Sequence, residues 1–186
     1  MASIEENIVR LKALAENVVG RTVQGPKDFD FLCRQIEGYT SERLSQSTLK
    51  RIWGYVASKS NVSTYSLDVL SRMVGYANWN DFASASDDGD TSYRVVRRKL
   101  MVDALSPGDM VRLAWKPDRV VTARYEGQDL FVVISSINSK LQLDDTFRCL
   151  VIVEHEPLYL HGLYRKGMPP CDYICGKNGG VVWSLV

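Results

Sequence analysis

The stretch Thr40-Ser-Glu-Arg-Leu-Ser-Gln-Ser-Thr-Leu-Lys-Arg-Ile-Trp-Gly-Tyr-Val56 decides how this chain is read. Ser45 suits a helix N-cap, because its hydroxyl can accept a first-turn amide that has no partner within the helix. Leu49, Ile52, Trp53 and Val56 recur at i, i+3, i+4 and i+7, the spacing of one buried helix face. Gln46, Ser47, Lys50, Arg51 and Gly54 occupy the opposite face. The spacing predicts a helix over residues 45–57, apolar inward and polar outward.

Working upstream, Phe29, Leu32, Cys33 and Ile36 share a face of a second predicted helix. Gly25-Pro26 breaks the chain before it, Asp28 sits at its N-cap or first turn, and Gly38 is its expected stop. A first helix is predicted from Ile4, Ile8, Leu11, Ala15 and Val18, with Leu14 and Val19 widening the stripe. Ser3 and Glu6 form a capping box at its start, and Gly20 can end it. Such a helix packs in the core or serves dimerisation. Downstream, a polar loop over 58–63 leads to a helix burying Leu67, Leu70, Met73 and Val74 and closed by Gly75. Asn78-Trp-Asn-Asp81 then resembles a capping box, with Asp where Glu or Gln is usual, ahead of Trp79 and Phe82 at i, i+3. The first half is thus expected to be a bundle of four or five helices.

Leu44-Ser-Gln-Ser-Thr-Leu-Lys-Arg-Ile-Trp-Gly54 resembles the turn and recognition helix of lambda-repressor-like helix-turn-helix domains, and Ser66-Leu-Asp-Val-Leu-Ser-Arg-Met-Val-Gly75 is similar to the helix that follows. The resemblance covers about 55 residues, 28–82, and implies that the outer face of the 45–57 helix meets DNA. The preceding helix departs from that pattern. It carries Gln35-Ile-Glu-Gly-Tyr-Thr40 where such domains have a small residue at the helix crossing. The whole chain also resembles uncharacterised two-part proteins of Bacteroidetes, through Ser47-Thr-Leu-Lys-Arg-Ile-Trp-Gly-Tyr55, Gly75-Tyr-Ala-Asn-Trp-Asn-Asp-Phe82 and Pro107-Gly-Asp-Met-Val111. That likeness implies a shared architecture and no activity.

After residue 83 the pattern changes. Residues 84–92 are small, polar and acidic and are expected to form a linker. Beyond them, apolar residues alternate. Strands are predicted over 99–104, 110–115, 120–126, 130–137, 147–154, 158–164 and 181–185, separated by turn-forming runs such as Ser-Pro-Gly-Asp109 and Gly-Lys-Asn-Gly-Gly180. Residues 93–99 are ambiguous between strand and helix. The fold class is therefore α+β: a helical domain over 1–83 containing the helix-turn-helix, and a small β-barrel or sandwich over 93–186. One echo recurs within it. Leu105, Asp109 and Val111 have the spacing of Leu141, Asp145 and Phe147, as though one strand-entry turn were used twice.

The charge count limits the function classes. The chain of 186 residues has a net charge of +1, and residues 1–86 hold 10 Lys+Arg against 9 Asp+Glu. Any nucleic-acid footprint must therefore be local, since phosphate neutralisation supplies much of DNA affinity. The candidate base-reading residues are Gln46, Ser47, Lys50 and Arg51: Gln pairs bidentately with adenine, and Lys and Arg with guanine or phosphate. The basic run Arg94, Arg97, Arg98 and Lys99 could add phosphate contacts, although such runs are more often solvated surface. Double-stranded DNA is the expected partner, bound by a homodimer because one short helix reads few base pairs. A protein partner is the alternative, and the near-neutral charge favours it.

Catalysis has little support: His155 and His161 lie in alternating segments, and no nucleophile has an evident activating partner. No cofactor is expected. Cys171 and Cys175, with His161 and Cys149, lack a second pair at zinc-ligand spacing, so no metal is expected either. Gly176–Gly180 lacks the phosphate-loop pattern and fits a hairpin turn. Trp115, Tyr125, Phe131, Tyr159, Tyr164, Tyr173 and Trp183 fit a core better than a stacking platform. The four cysteines, the absence of a basic leader and the lack of a long apolar run point to a cytoplasmic protein without a membrane span.

Overall fold

Helix boundaries in the first half follow from side chains and glycines that satisfy the free backbone groups at each end. The computed structural model describes residues 3–57, 62–85 and 98–186, which fall into two compact units, one of helices and one of strands. In the helical unit α1 spans Ile4–Val19, α2 Pro26–Thr40, α3 Gln46–Ile52, α4 Thr64–Met73 and α5 Trp79–Ser84. Ser3 and Glu6 form the predicted capping box on α1. Asp28 accepts the amides of Gln24 and Gly25 ahead of α2. Ser45, Ser63 and Asn78 each accept the amide three residues on, at the starts of α3, α4 and α5.

The helix ends correct two expectations. α3 stops at Ile52, five residues before the predicted end. Gly54 (φ 75°) turns the chain left-handed, so its amide bonds the Arg51 carbonyl and the Tyr55 amide bonds that of Lys50. This pair of hydrogen bonds terminates a helix at a left-handed glycine. Val56 consequently leaves the buried stripe and is exposed. α1 and α4 end by the same pair of bonds at Gly20 and Gly75. α2, by contrast, runs through Gly38 and ends on Ser41 (φ 59°), whose amide bonds the Glu37 carbonyl.

Leu11, Ala15 and Val19 of α1 form the unit's core with Leu32 and Ile36 of α2, Leu49 and Ile52 of α3, Leu67, Leu70 and Met73 of α4, and Phe82 of α5. Ile4 is exposed, so the stripe of α1 begins at Asn7. α5, only six residues long, is held at both ends from elsewhere. The Asp68 carboxylate accepts the Trp79 amide at its start, and Arg10 donates to the Phe82 and Ala85 carbonyls at its finish. Such external partners are needed because an isolated helix of that length is unstable in water. No helix among the described residues is long and apolar enough to cross a membrane.

In the β unit, β1 spans Lys99–Met101, β2 Met110–Trp115, β3 Arg119–Gly127, β4 Leu130–Ile137, β5 Thr146–Arg148, β6 Val151–Val153, β7 Leu158–Tyr164, β8 Cys171–Cys175 and β9 Val182–Leu185. Seven strands form one antiparallel sheet in the order β8-β7-β5-β4-β3-β2-β9. It is not a closed barrel, because β8 and β9 at its two edges do not pair. The predicted strand over 147–154 is in fact two. The chain breaks at Cys149-Leu150, β5 stays in the sheet, and β6 leaves it to pair with β1. One parallel bridge, Glu154 to Val181, joins that ribbon to the start of β9. β8 was not predicted, since Cys-Asp-Tyr-Ile-Cys lacks the alternation that marks a half-buried strand. Residues 102–104, assigned to a strand from sequence, form a 3-10 turn instead.

The strand-entry echo is reproduced bond for bond. Asp109 accepts the Ser106 amide with its carboxylate at 2.9 Å, and Asp145 accepts that of Gln142 at 2.7 Å. The third residue of each turn has positive φ, Gly108 at 96° and Asp144 at 66°. Each turn then exchanges two backbone bonds with one partner residue, Tyr125 for the first and Val133 for the second. Leu105 and Leu141, one residue ahead of the two turns, are both buried. Tyr125 lies downstream of its turn and Val133 upstream. The two are therefore one local device used twice, not copies of a duplicated hairpin.

Candidate nucleic-acid interface

α3 is placed by contacts at both ends. The Ser45 hydroxyl accepts the Thr48 amide at 3.1 Å. At the other end the Trp53 indole N–H donates to Glu16 Oε1 of α1 at 2.9 Å. The same carboxylate oxygen accepts the Val23 amide in the loop before α2. Leu49 and Ile52 are buried, so the helix's inner side is fixed by the core and its outer side by default faces away.

The four sequence-predicted residues divide into two pairs. Ser47 and Arg51 are exposed. Arg51 Nε donates to the Ser47 carbonyl one turn back. Gln46 and Lys50 are half-buried against α2. Gln46 Nε2 donates to Asp30 Oδ1 at 3.3 Å, and Asp30 is also paired with Arg34. The Lys50 ammonium lies 6.0 Å from the centroid of the Phe29 ring, the outer limit of a cation–π contact worth about 0.5 kcal/mol. It also faces Cys33, whose thiol burial pushes above its ordinary pKa against the opposing pull of its own backbone bond and the Lys50 charge. Sequence reasoning placed Gln46 and Lys50 outward and missed their partners on α2. The available signal was Asp30 and Arg34 at i, i+4, a pair that marks an exposed polar side of α2.

Around α3 the other charges are largely compensated. Arg43 pairs with Glu37 at 2.7 Å and Arg72 with Glu42 at 2.6 Å. Arg10 caps α5 and lies over the Phe82 ring. Lys50 and Arg51 meet no carboxylate among the described residues. Tyr55 and Val56, immediately past the Gly54 turn, are about half exposed, as is Tyr65 on α4. Tyr55 sits edge-on to Phe29 with ring centroids 5.4 Å apart.

Of the basic run, Arg98 and Lys99 are among the described residues. Arg94 and Arg97 lie outside the described residues. Arg98 is built into the β unit: it pairs with Glu154 at 3.2 Å, and its guanidinium lies 4.6 Å from the Trp183 ring centroid. Lys99 opens β1, opposite Val153.

The remaining candidates also separate. Among the described residues no three His, Cys, Asp or Glu side chains converge as a metal site would require. Cys171 is exposed, while Cys149 and Cys175 are buried, and burial pushes both of those thiols up to about 12. His155 lies in a turn with φ 64°, not in a strand, and the exposed His161 is 3.8 Å from Asp172. Gly176–Gly180 forms the turn between β8 and β9. Gly180 cannot be replaced there, since a Cβ would fall 2.0 Å from the His155 carbonyl carbon and φ is 73°. Trp115, Tyr125, Phe131 and Trp183 are core residues, Tyr173 is half-buried, and Tyr159 and Tyr164 are exposed.

No protein-family model matches the chain, and the searches of curated proteins and of solved structures also give no match.

Proposed function

We propose that the helical unit binds double-stranded DNA through α3, and that the chain is a cytoplasmic transcriptional regulator whose β unit takes a ligand or partner. The observation that carries this reading is the pairing of Lys50 and Arg51 on one short, doubly anchored helix, meeting no carboxylate among the described residues where the surrounding arginines are compensated. Ser47 and Arg51 reach bases or phosphate directly, while Gln46 and Lys50 must first leave Asp30 and Phe29. Arg94, Arg97 and Lys99 are candidates for further phosphate contacts; Arg98 would have to give up Glu154.

Two cations per copy imply modest affinity. Each neutralised phosphate contributes about −0.9 to the slope of log K against log salt, so Lys50 and Arg51 together give about −2 per copy and about −4 for a dimer. Selection from random duplexes at low salt is the test. It should enrich one sequence, and Lys50→Ala with Arg51→Ala should abolish binding while the helical spectrum is retained. Selection that enriches nothing sinks the proposal.

A second reading rests on a different observation. Tyr55, Val56 and Tyr65 are exposed apolar side chains in the same unit, and net charge is near zero. These features suit a protein partner, with the helix-turn-helix shape reused as a scaffold. Stoichiometric capture of one protein that Tyr55→Ser abolishes, without nucleic acid, would favour it.

A further inference from the structure

A cavity of about 150 Å³ lies in the β unit between the β7–β8 hairpin and Lys140 of the turn before β5. Leu163, Met168, Pro169 and Tyr173 give it apolar walls, and Lys140 and Arg165 bring positive charge to it.

The two cations are not equivalent. Arg165 donates through Nε and Nη2 to the two oxygens of Asp145, at 2.8 and 2.6 Å, and through Nη2 to the Lys140 carbonyl at 2.8 Å. Its charge is cancelled and its geometry fixed, so it acts as wall. The Lys140 ammonium meets no carboxylate among the described residues. Its backbone carbonyl is tethered by Arg165 at the rim of the cavity, within reach of its flexible, exposed ammonium. Met168 is 56% exposed, an unbranched apolar side chain with little on its open side.

Size and charge together select the occupant. This cleft is open on the Met168 side, and its roughly 150 Å³ gives room for a benzene-sized group, whereas pockets for larger ligands start at roughly 300 Å³. One six-membered ring fills this space. A single uncompensated ammonium beside it favours an anionic substituent on that ring. We propose that the cavity binds a monocyclic aromatic carboxylate, the ring against Leu163, Met168 and Pro169 and the carboxylate at Lys140. This site stands independently of DNA binding by the helical unit.

The experiment uses the full chain carrying methyl-labelled methionine, titrated with benzoate while the Met168 methyl resonance is followed. Benzoate should shift that resonance saturably. Benzamide, with the same ring and no charge, should bind about fivefold more weakly, the upper end for an exposed ion pair. Acetate should leave the resonance in place. Lys140→Gln, an exposed substitution, should erase the preference for benzoate over benzamide and leave benzamide binding unchanged. An unsaturable response to benzoate, equal affinity for benzamide, or a preference that survives in Lys140→Gln would overturn the proposal.

Discussion

The turns ending at Asp109 and Asp145 make the same turn bonds and differ in composition and burial. Asp109 is half-exposed and closes a Ser-Pro-Gly-Asp turn, in which proline and glycine already favour the backbone. Asp145 closes Gln-Leu-Asp-Asp, with no such residues, and is buried. Its carboxylate is therefore held by Arg165 as well as by the Gln142 amide. One turn holds residues that favour its backbone locally, and the other holds none and is braced by a partner twenty residues away in sequence. The same geometry is thus reached by two routes, and the second makes the turn depend on the tertiary fold.

Substitutions can separate those routes, with amide exchange at Val133 and Tyr125 as local reporters, since each donates to its own turn aspartate's carbonyl. Asp145→Ala should have the largest effect, about 2–3 kcal/mol, because a charged acceptor of several bonds is removed from a buried position. Val133 exchange should accelerate more than that of Tyr125. Equal acceleration at both would show that the Asp145 turn is not separately supported.

The effect should also depend on pH. Burial raises the Asp145 pKa, but the Arg165 and Gln142 bonds outweigh it and hold the group below its ordinary 3.8. A carboxylate lowered on folding stabilises the protein above its unfolded pKa and loses that contribution as pH falls through the folded value. The gap between wild type and Asp145→Ala should therefore narrow below about pH 4. A gap that stays constant down to acid unfolding would refute the ion pair's role.

At the third turn position Gly108→Ala should cost about 1–2 kcal/mol. An added Cβ meets nothing within 4 Å, so that cost is purely conformational, set by φ 96°. Asp109→Ala should follow at about 1 kcal/mol, the loss of a half-exposed acceptor for the Ser106 amide. Asp144→Gly should be smallest, within about 0.5 kcal/mol, since relief at φ 66° is offset by the greater freedom of glycine in the unfolded chain. Denaturant midpoints of the strand amides would rank these three.

The same contrast explains what could be read from sequence. Ser3, Ser45, Ser63 and Asn78 act within three residues of themselves, and all four helix starts were legible. The bounds of β2, β4 and β7 were legible because alternation and flanking turns agree. Gly54 and Gly38 were misjudged. A left-handed glycine ends a helix only where the following amides can turn back, and at Gly38 the helical bonds continue instead. Breaking the 147–154 run at Cys149-Leu150 depends on β1, some fifty residues upstream, and leaves no local mark. On α3 the outward placement of Ser47 and Arg51 followed from helical spacing. The engagement of Gln46 by Asp30 and of Lys50 by Phe29 needed the packing of α2, which spacing does not encode.

The β1–β6 ribbon has a consequence for synthesis. Lys99 pairs with Val153, so the first strand of the β unit waits for roughly fifty further residues to emerge. At about 5–20 residues per second that is several seconds. β2 can pair at once with β3, but its other edge stays open until β9 arrives. The helices find partners such as Ala85 for Arg10 and Glu16 for Trp53 within the first 85 residues and face no such delay. On the ribosome the helical unit completes itself while the sheet is still a growing meander open at both edges.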